Sequence, residues 1–559
     1  MNVTEAIAKI LKAEGVEWIS CFPSSPLIEA VAKEGIRPIA FRQERGAVMA
    51  ADGYSRMNGR RKFGVVIVQD QAGAENAMGA ISQAFADNVP ILVMPRGSVL
   101  ERTAVRPYFR AASTYRDISK HIETISTPKI VGSVMRRAFH ALRNGRPGPV
   151  IVEMPIDVCA QEIDEKDITT HYPKVSIQIP TGQDIKDAVK TLLDANKPMI
   201  WAGMGILLSG ATNELRELAE LTEIPVYTSM PGKSAIDERH PLALGAGSGT
   251  TTPAAYKWLQ ESDVLFAVGS SMTRTGYGQA VPDGKTIIHN VLSVEDINKD
   301  FDVHIALPGD AKATLSAMID EVRSQIGHAG RAGQTDTAAE ISKIKDEWME
   351  TWMPVLTDDT EPINPYRVIW EMNQTLDLEN SIVTHDAGAP RDMLVPFFLA
   401  TTPHSYIGWG KSTHLGYGIP LMIGAKIAMP DKFCLNFMGD GAFGMSGLDI
   451  ETAVRSGNPI TTIVLNNGGM ATYPDFSPIA RTTYDVSHMY GDYAKIAEGM
   501  GAVGITVTKP AELSNALKKA QELNANGQTV LLDIHTRAED KRSPSGFDAI
   551  TQWTRWTKE

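Results

Sequence analysis

Two short runs in the last third of the sequence carry side chains suited to holding a metal ion and an anion together. Gly439-Asp440-Gly441 follows the apolar residues 433–438, and Asn466-Asn467-Gly468-Gly469 follows a second apolar run at 462–465. An Asp at the tip of one strand and an Asn at the tip of the next offer hard oxygen ligands of the kind that Mg2+ takes. The flanking glycines let backbone amides close on a diphosphate, since no Cβ stands between them and the anion. A lone Gly-Asp-Gly is also a common turn; the pairing with Asn-Asn at the end of a second apolar strand is what turns it into a Mg-diphosphate clamp.

Three further runs have chemistry-bearing residues in settings that position them. Glu44 stands in Arg42-Gln43-Glu44-Arg45-Gly46-Ala47, after a strand ending near Phe41 and at the start of a helix that continues through Ala50-Ala51-Asp52-Gly53-Tyr54-Ser55-Arg56. A Glu there is usually only a favourable partner of the helix dipole, but a carboxyl taken out of water also keeps a proton more readily, as general acid-base work on a ring nitrogen requires. The run Gly410-Lys411-Ser412-Thr413-His414-Leu415-Gly416-Tyr417-Gly418-Ile419-Pro420 places one large apolar side chain among glycines. The run His385-Asp386-Ala387-Gly388-Ala389-Pro390-Arg391 follows a strand near 382–384 and ends in a guanidinium able to meet an anion or to sit in solvent.

These runs need strands to end at them and helices to start from them, and the chain supplies both. Short apolar segments at 18–22, 38–41, 63–68, 90–94 and 150–154 alternate with helical periods near 27–33, 44–57 and 74–86. Such βα alternation predicts a parallel sheet covered by helices, with ligands at the carboxyl ends of its strands. A polar stretch at 161–180 separates this unit from a second α/β region with strands at 199–202, 226–228, 264–268 and 286–289. A Gly- and Ala-rich stretch at 327–336 precedes a third, with strands at 382–384, 433–438, 462–465 and 530–534. The expected fold is therefore α/β, three consecutive doubly wound parallel-sheet domains over residues 1–165, 181–330 and 355–545.

A chain of 559 residues exceeds a single core, and 43% hydrophobic with 21% charged residues describes an ordinary globular protein. Its net charge of −12 argues against a general nucleic-acid partner. Cys21, Cys159 and Cys434 are scattered and odd in number, which suggests reduced core thiols and a cytoplasmic setting. Residues 1–14 read as an amphipathic helix capped near Thr4 rather than a signal peptide, and no apolar run is long enough to span a membrane.

The Gly-Asp-Gly and Asn-Asn pair, the Glu44 block and the order of the three units resemble the thiamine diphosphate-dependent enzymes of the acetolactate synthase and pyruvate oxidase superfamily. The resemblance covers nearly the whole chain and implies pyrimidine-binding, central and diphosphate-binding domains in that order. It implies thiamine diphosphate and Mg2+ as cofactors, with Asp440, the Asn467 side chain and the Gly469 carbonyl as the protein's metal ligands. Glu44 then matches the catalytic acid that hydrogen-bonds the aminopyrimidine, and Leu415 the apolar wedge that bends the coenzyme. The Thr413 carbonyl and Leu415 amide match its pyrimidine contacts. Pro23, Gly388, Ala389, Arg391, Gly439, Gly441, Ala442 and Met470 complete the expected coenzyme contacts. Here Ala389 and Pro390 replace the Gln and His usual in acetolactate synthases, and Arg391 is the candidate substitute. The resemblance further implies a homodimer or homotetramer with Glu44 of one subunit facing Asp440 of the other; the small residues from Gly73 to Ala86 would permit such close packing.

The resemblance thins at the substrate pocket. Phe22-Pro23-Ser24-Ser25-Pro26 has two hydroxyls where acetolactate synthases carry Gly-Gly, and no His, against the habit of simple pyruvate decarboxylases. Ser98 and Arg110, the latter after Phe109, stand where two Gln residues are expected. Arg96, Arg102 and Arg106 lie nearby, and clustered guanidinium groups favour an anionic substrate, although surface ion pairs would use the same residues. Arg274 falls one place from the family Arg that holds the acceptor carboxylate, which leaves FAD uncertain. Phe476 aligns with a specificity Trp, and Tyr473 with Met470 would line the same wall. The expected activity is carboligation like that of acetolactate synthase: cleavage of a C–C bond next to a carbonyl in a small-molecule 2-oxo acid, and transfer of the acyl anion to an acceptor. The alternatives are a non-ligating 2-oxo acid decarboxylase or 2-hydroxyacyl lyase, a flavin-dependent oxidase, and a non-catalytic relative that only binds the cofactor.

Overall fold

The computed structural model describes residues 1–59, 61–168, 175–276, 278–331, 333–470, 477–539 and 541–543. Three six-stranded sheets follow one another along the chain, and every ladder in them is parallel. The first contains β1 (Trp18–Cys21), β2 (Arg37–Ala40), β3 (Gly64–Val68), β4 (Ile91–Gly97), β5 (His121–Thr124) and β6 (Val150–Pro155). The second contains β7 (Met199–Ala202), β8 (Val226–Ser229), β9 (Ala243–Gly247), β10 (Val264–Val268), β11 (Thr286–Val291) and β12 (Ile305–Pro308). The third contains β13 (Ser381–His385), β14 (Tyr406–Ile407), β15 (Phe433–Gly439), β16 (Thr461–Asn466), β17 (Val503–Val507) and β18 (Val530–His535).

The first and third sheets share one strand order, β2-β1-β3-β4-β6-β5 and β14-β13-β15-β16-β18-β17, so the two domains are built alike. The central order, β12-β11-β10-β7-β8-β9, is that of a dinucleotide-type sheet with its topological switch between β7 and β10. Central strands such as β3, β10 and β13 are buried along their whole length, as parallel strands covered on both faces must be. The α/β expectation holds in all three domains.

The first and third domains share a core. The helix Glu44–Asn58 crosses the helix Gly418–Ala428 so closely that a Cβ on Gly53 would lie 2.1 Å from the Leu421 carbonyl oxygen, and one on Gly424 would lie 1.9 Å from that of Ala50. Leu415, Met438 and Phe443 of the third domain pack in one apolar cluster with Met49, Ala77 and Ile81 of the first.

At the N-terminus the helix Val3–Ala13 is capped by Asn2, not Thr4. Asn2 and Glu5 form a reciprocal capping box, while the Thr4 hydroxyl turns inward to the Cys159 carbonyl (3.1 Å). All three cysteines are free thiols; burial pushes Cys21 and Cys434 up to about 12 and Cys159 up to about 11. The Gly-rich stretch after residue 327 is tied down, with the Gly333 and Thr335 amides donating to the Glu223 carboxylate.

Candidate active site at the edge of the third sheet

β13, β15 and β16 are neighbours in the sheet, so the loops that follow them lie side by side at its carboxyl edge. Gly388 ends the first loop with φ 91°, a conformation that favours glycine, and a Cβ there would meet nothing within 4 Å. Gly439 lies against Pro390 of the helix that follows, Ala389–Phe397, 3.6 Å from its Cγ to where a Cβ would stand. Asp440 is 2% exposed and opens the helix Asp440–Ser446, with Gly441 and Ala442 buried behind it. One Asp440 carboxylate oxygen accepts the Gly441 N–H (2.8 Å) and the other the Gly468 N–H (3.0 Å), which joins the second loop to the third. The Asn467 side-chain oxygen accepts the Gly469 N–H (2.9 Å). Burial pushes the Asp440 carboxyl up, and the amides of Gly441, Gly468, Asn467 and Gly469 pull it back. Met470 lies across Gly441, where an added Cβ would come within 2.9 Å of its Cγ. Asp440, Asn467 and the Gly469 backbone thus offer oxygens as donors, a set that fits Mg2+ rather than a softer ion.

A fourth segment, residues 408–418, runs beside these loops. Trp409 anchors it by donating its indole N–H to the His385 carbonyl (3.0 Å) and stacking on the His385 ring. Asp386, fully buried, accepts the N–H groups of Ala387 (2.8 Å), Gly416 (3.0 Å) and Gly418 (2.9 Å), and burial pushes its carboxyl up to about 6. Between these anchors Thr413 is left-handed, with φ 54°, and Leu415 packs half-buried on the shared core.

Glu44 opens its helix at 5% exposure and accepts a hydrogen bond from the Asn76 side-chain amide (2.9 Å). The helix Ala72–Ala86 can lie on this carboxylate only because Gly73 has no side chain: a Cβ there would be 2.7 Å from Glu44 Oε1. Gly79 does the same beneath His414, so the small residues of this helix are used within the chain. The residues beside Glu44 reach the third domain. The Arg42 N–H donates to Asp449 (3.0 Å), the Gln43 amide donates to the Met445 carbonyl (3.3 Å), and Arg45 donates to that same carbonyl.

Comparison with known families matches three family models along the chain, in the order of the three sheets. The models for the N-terminal TPP binding domain, the central domain and the C-terminal TPP binding domain of thiamine pyrophosphate enzymes match residues 1–103, 185–318 and 386–534. A probable acetolactate synthase large subunit of Methanococcus aeolicus is 32% identical over 93% of this chain and 90% of its own length. The chain belongs to the thiamine pyrophosphate enzyme family. Within that family it is also similar to a probable acetolactate synthase large subunit of Methanocaldococcus jannaschii, 31% identical over 96% of this chain and 92% of the relative. The acetolactate synthase isozyme 3 large subunit of Escherichia coli is 28% identical over 96% and 94%.

The residues expected to face substrate are more dispersed than those that fit the coenzyme of this family. Pro23 is exposed, and Ser25 caps the helix Pro26–Lys33 by accepting the Leu27 N–H (3.3 Å). Ser24 is half-buried; its carbonyl accepts from Arg96 (3.2 Å), whose guanidinium is otherwise held by Asp70 (2.6 Å). Arg96 therefore braces the first loop instead of presenting a free charge. The Ser98 hydroxyl oxygen is buried and, among the described residues, has no hydrogen-bond partner. Phe109 packs edge-on to Tyr115, while Arg102, Arg106 and Arg110 are exposed. Arg391, 1% exposed and paired with Asp392, is not a surface residue. Arg274 lies at the central crevice with its guanidinium over Phe301. Tyr473 and Phe476 lie outside the described residues.

Three residues that matter here were not singled out from the sequence. Asp386 had a signal, an acid at a strand tip two residues before a glycine. Asn76 had a fainter one, an amide side chain early in a helix of mostly small residues. Asp449 had none, because only the fold brings it to Arg42.

Proposed function

We propose that the chain is a Mg2+- and thiamine diphosphate-dependent carboligase acting on a 2-oxo acid, a transferase/lyase of the acetolactate synthase kind. The observation that carries this is the Asp440–Gly468 contact, which brings the acid of one strand tip and the amide-bearing loop of the next to a single point. Support comes from the relatives named above, two probable acetolactate synthase large subunits and one acetolactate synthase isozyme 3 large subunit, each matched over nearly its whole length. When bound, thiamine diphosphate would supply the nucleophilic carbon and the electron sink that decarboxylation of a 2-oxo acid and acyl transfer require.

The chain's own residues divide the remaining work. Asp440, Asn467 and the Gly469 carbonyl would hold the metal, and the amides around Gly388, Gly441 and Ala442 the diphosphate. Leu415 would hold the coenzyme bent, with the Thr413 carbonyl and Leu415 amide on its pyrimidine. Glu44 would exchange a proton with the ring nitrogen, a role for which its burial and its single amide partner suit it. Ser24 and the Arg102, Arg106 and Arg110 segment are the candidates for meeting an anionic substrate. A homodimer or homotetramer would cover Met445, Leu448 and Met470, which are exposed beside the site.

A flavin-dependent oxidase is the second reading, because the central domain has the strand order of dinucleotide folds. Its crevice, lined by Gly203, Gly205, Gly269 and Ser271, has a volume of about 200 Å³, below the roughly 300–1,000 Å³ of typical ligand sites. The amides of Gly203 and Gly205 are taken by the carbonyls of Val268 and Gly269, and the three glycines serve to pack the two loops on each other. These residues do not form a ready seat for a flavin dinucleotide, and no step passes through one.

The test is to incubate the purified chain with thiamine diphosphate, Mg2+ and a panel of 2-oxo acids, with and without aldehyde or 2-oxo acid acceptors, and to read products by mass. Ligated products support carboligation, and aldehyde alone points to a decarboxylase. No turnover across the panel would leave only a cofactor-binding relative, and a yellow protein with flavin absorbance would overturn the account of the central crevice.

A further inference from the structure

The loop at 408–418 is held on its far side by the first domain of the same chain. Asp87 follows the helix Ala72–Ala86, at the end where the helix dipole is negative and a carboxylate is least favoured. It is nonetheless 2% exposed and fully engaged. Its Oδ2 accepts from Arg56 (2.9 Å), from the Gln83 amide (2.8 Å) and from the Gly410 N–H (3.0 Å), and its Oδ1 accepts the Lys411 N–H (3.1 Å). Gln83, fully buried, uses its own carbonyl oxygen to accept the Ser412 hydroxyl (2.7 Å) and the His414 N–H (3.4 Å). Arg56 also donates to the Gly408 carbonyl (3.0 Å) and pairs with Asp52, to which the Tyr417 hydroxyl donates (3.1 Å).

Contacts at 408, 410, 411, 412, 414 and 417 therefore come from the helices Glu44–Asn58 and Ala72–Ala86 and from Asp87 just after the second, while Asp386 fixes the amides of 416 and 418 from the other side. The backbone between them holds Gly410 at φ 121° and Thr413 at φ 54°. A non-glycine residue in the left-handed region persists only where its surroundings over-determine it. A carboxylate accepting two successive backbone N–H groups with a buried arginine behind it is a fixed acceptor, and its hydrogen bonds are stronger than those of a neutral side chain.

We propose that Asp87 is a positioning residue for the coenzyme: through the N–H groups of Gly410 and Lys411 it sets the loop that presents Thr413 and Leu415 to the pyrimidine ring. This rests on the coenzyme assignment above and adds to it a residue of the first domain that acts without touching the ligand.

The experiment compares the full-length wild-type chain with Asp87→Asn, which keeps the shape but removes the charge and one acceptor. With Mg2+ present, each is titrated calorimetrically with thiamine diphosphate and, separately, with inorganic diphosphate. Asp87→Asn is expected to weaken thiamine diphosphate at least about tenfold, the scale of losing hydrogen bonds to a charged acceptor, with inorganic diphosphate affinity changed less than about twofold. At saturating coenzyme the variant is also expected to exchange the coenzyme's C2 proton more slowly. Equal weakening of both ligands, or of neither, would overturn the proposal, since a residue that merely holds the domains together cannot discriminate between ring and tail. Should Asp87→Asn fail to fold, Gln83→Met and Ser412→Ala remove neighbouring anchors of the same loop and must show the same discrimination. A wild-type chain that binds no thiamine diphosphate would instead sink the coenzyme assignment itself, before any substitution is made.

Discussion

Asn76 donates its side-chain amide to Glu44 at 2.9 Å, and among the described residues this is the one side-chain hydrogen bond given to a carboxylate that is only 5% exposed. The neighbouring Gly73 lets the helix Ala72–Ala86 lie directly against Oε1, where a Cβ would be 2.7 Å away. A carboxyl held by one neutral donor keeps acceptor capacity for a ring nitrogen, which a carboxyl paired with arginine would lack.

Glu44→Gln is therefore expected to slow exchange of the coenzyme's C2 proton by roughly 10²–10⁴-fold, the usual worth of general acid-base help, with thiamine diphosphate still bound. Proton exchange followed by NMR on the loaded protein measures it directly. An unchanged rate would remove Glu44 from the mechanism.

At the other end of the site, Asp440 receives amides from two loops and offers the only carboxylate among the proposed metal ligands. Asp440→Ala should abolish Mg2+-dependent binding of thiamine diphosphate and of inorganic diphosphate alike, because the metal is what ties the anion to the protein. Calorimetric titration with and without Mg2+ would show it, and normal diphosphate affinity in the variant would contradict the clamp.

Much of this was legible because it follows local rules. The paired strand tips announced themselves by apolar runs ending in glycines, and βα alternation gave the α/β domains. Five edge or short strands escaped notice: β5, β9, β12, β14 and β17. β5, β12 and β17 are only partly buried, β9 carries two glycines and β14 is two residues long; β12 is apolar but only four residues long, and the others lack the long apolar run that marked the central strands. The first-domain cluster of Asp52, Arg56, Gln83 and Asp87 was illegible for another reason. Its partners lie more than 300 residues away at 408–417, and no spacing in the sequence encodes that meeting. The substrate arginines were read from type alone, which does not distinguish exposed Arg110 from Arg96, already held by Asp70.

The shared core of the first and third domains depends on two helices touching backbone to backbone. Gly424→Ala would place a methyl 1.9 Å from the Ala50 carbonyl oxygen, and neither helix can yield without moving Gly53 off Leu421. Overpacking of this kind costs about 1–3 kcal/mol or more. A lowered thermal midpoint with unchanged Mg2+ dependence of coenzyme binding is expected, since residues 439–469 do not take part in the crossing; a midpoint equal to wild type would show that the domains can separate at no cost.

Asp449 gives the protein a pH dependence that can be read from its surroundings. It is 1% exposed, with one carboxylate oxygen accepting from the Arg42 N–H and the Thr452 hydroxyl and the other, among the described residues, without a partner. Burial pushes its carboxyl from 3.8 up to about 6, with hydrogen bonds from Arg42 and Thr452 pulling the other way. The folded chain thus holds this proton more tightly than the unfolded chain does. Its favourable contribution is complete below pH about 4 and is lost as pH rises to about 6. The gap is worth roughly 3 kcal/mol, and Asp386, also raised to about 6, adds a loss over the same range. Asp449→Asn, neutral at every pH, removes one of the two. Its stability to urea should fall less steeply than that of wild type between pH 4 and 6, and above pH 6 it should equal or exceed wild type, because no charge is then buried beside Gly46. Parallel stability curves for the two proteins across that interval would show that Asp449 is ionised in the folded chain throughout, and that the water it has lost on burial is replaced by contacts stronger than the two it makes.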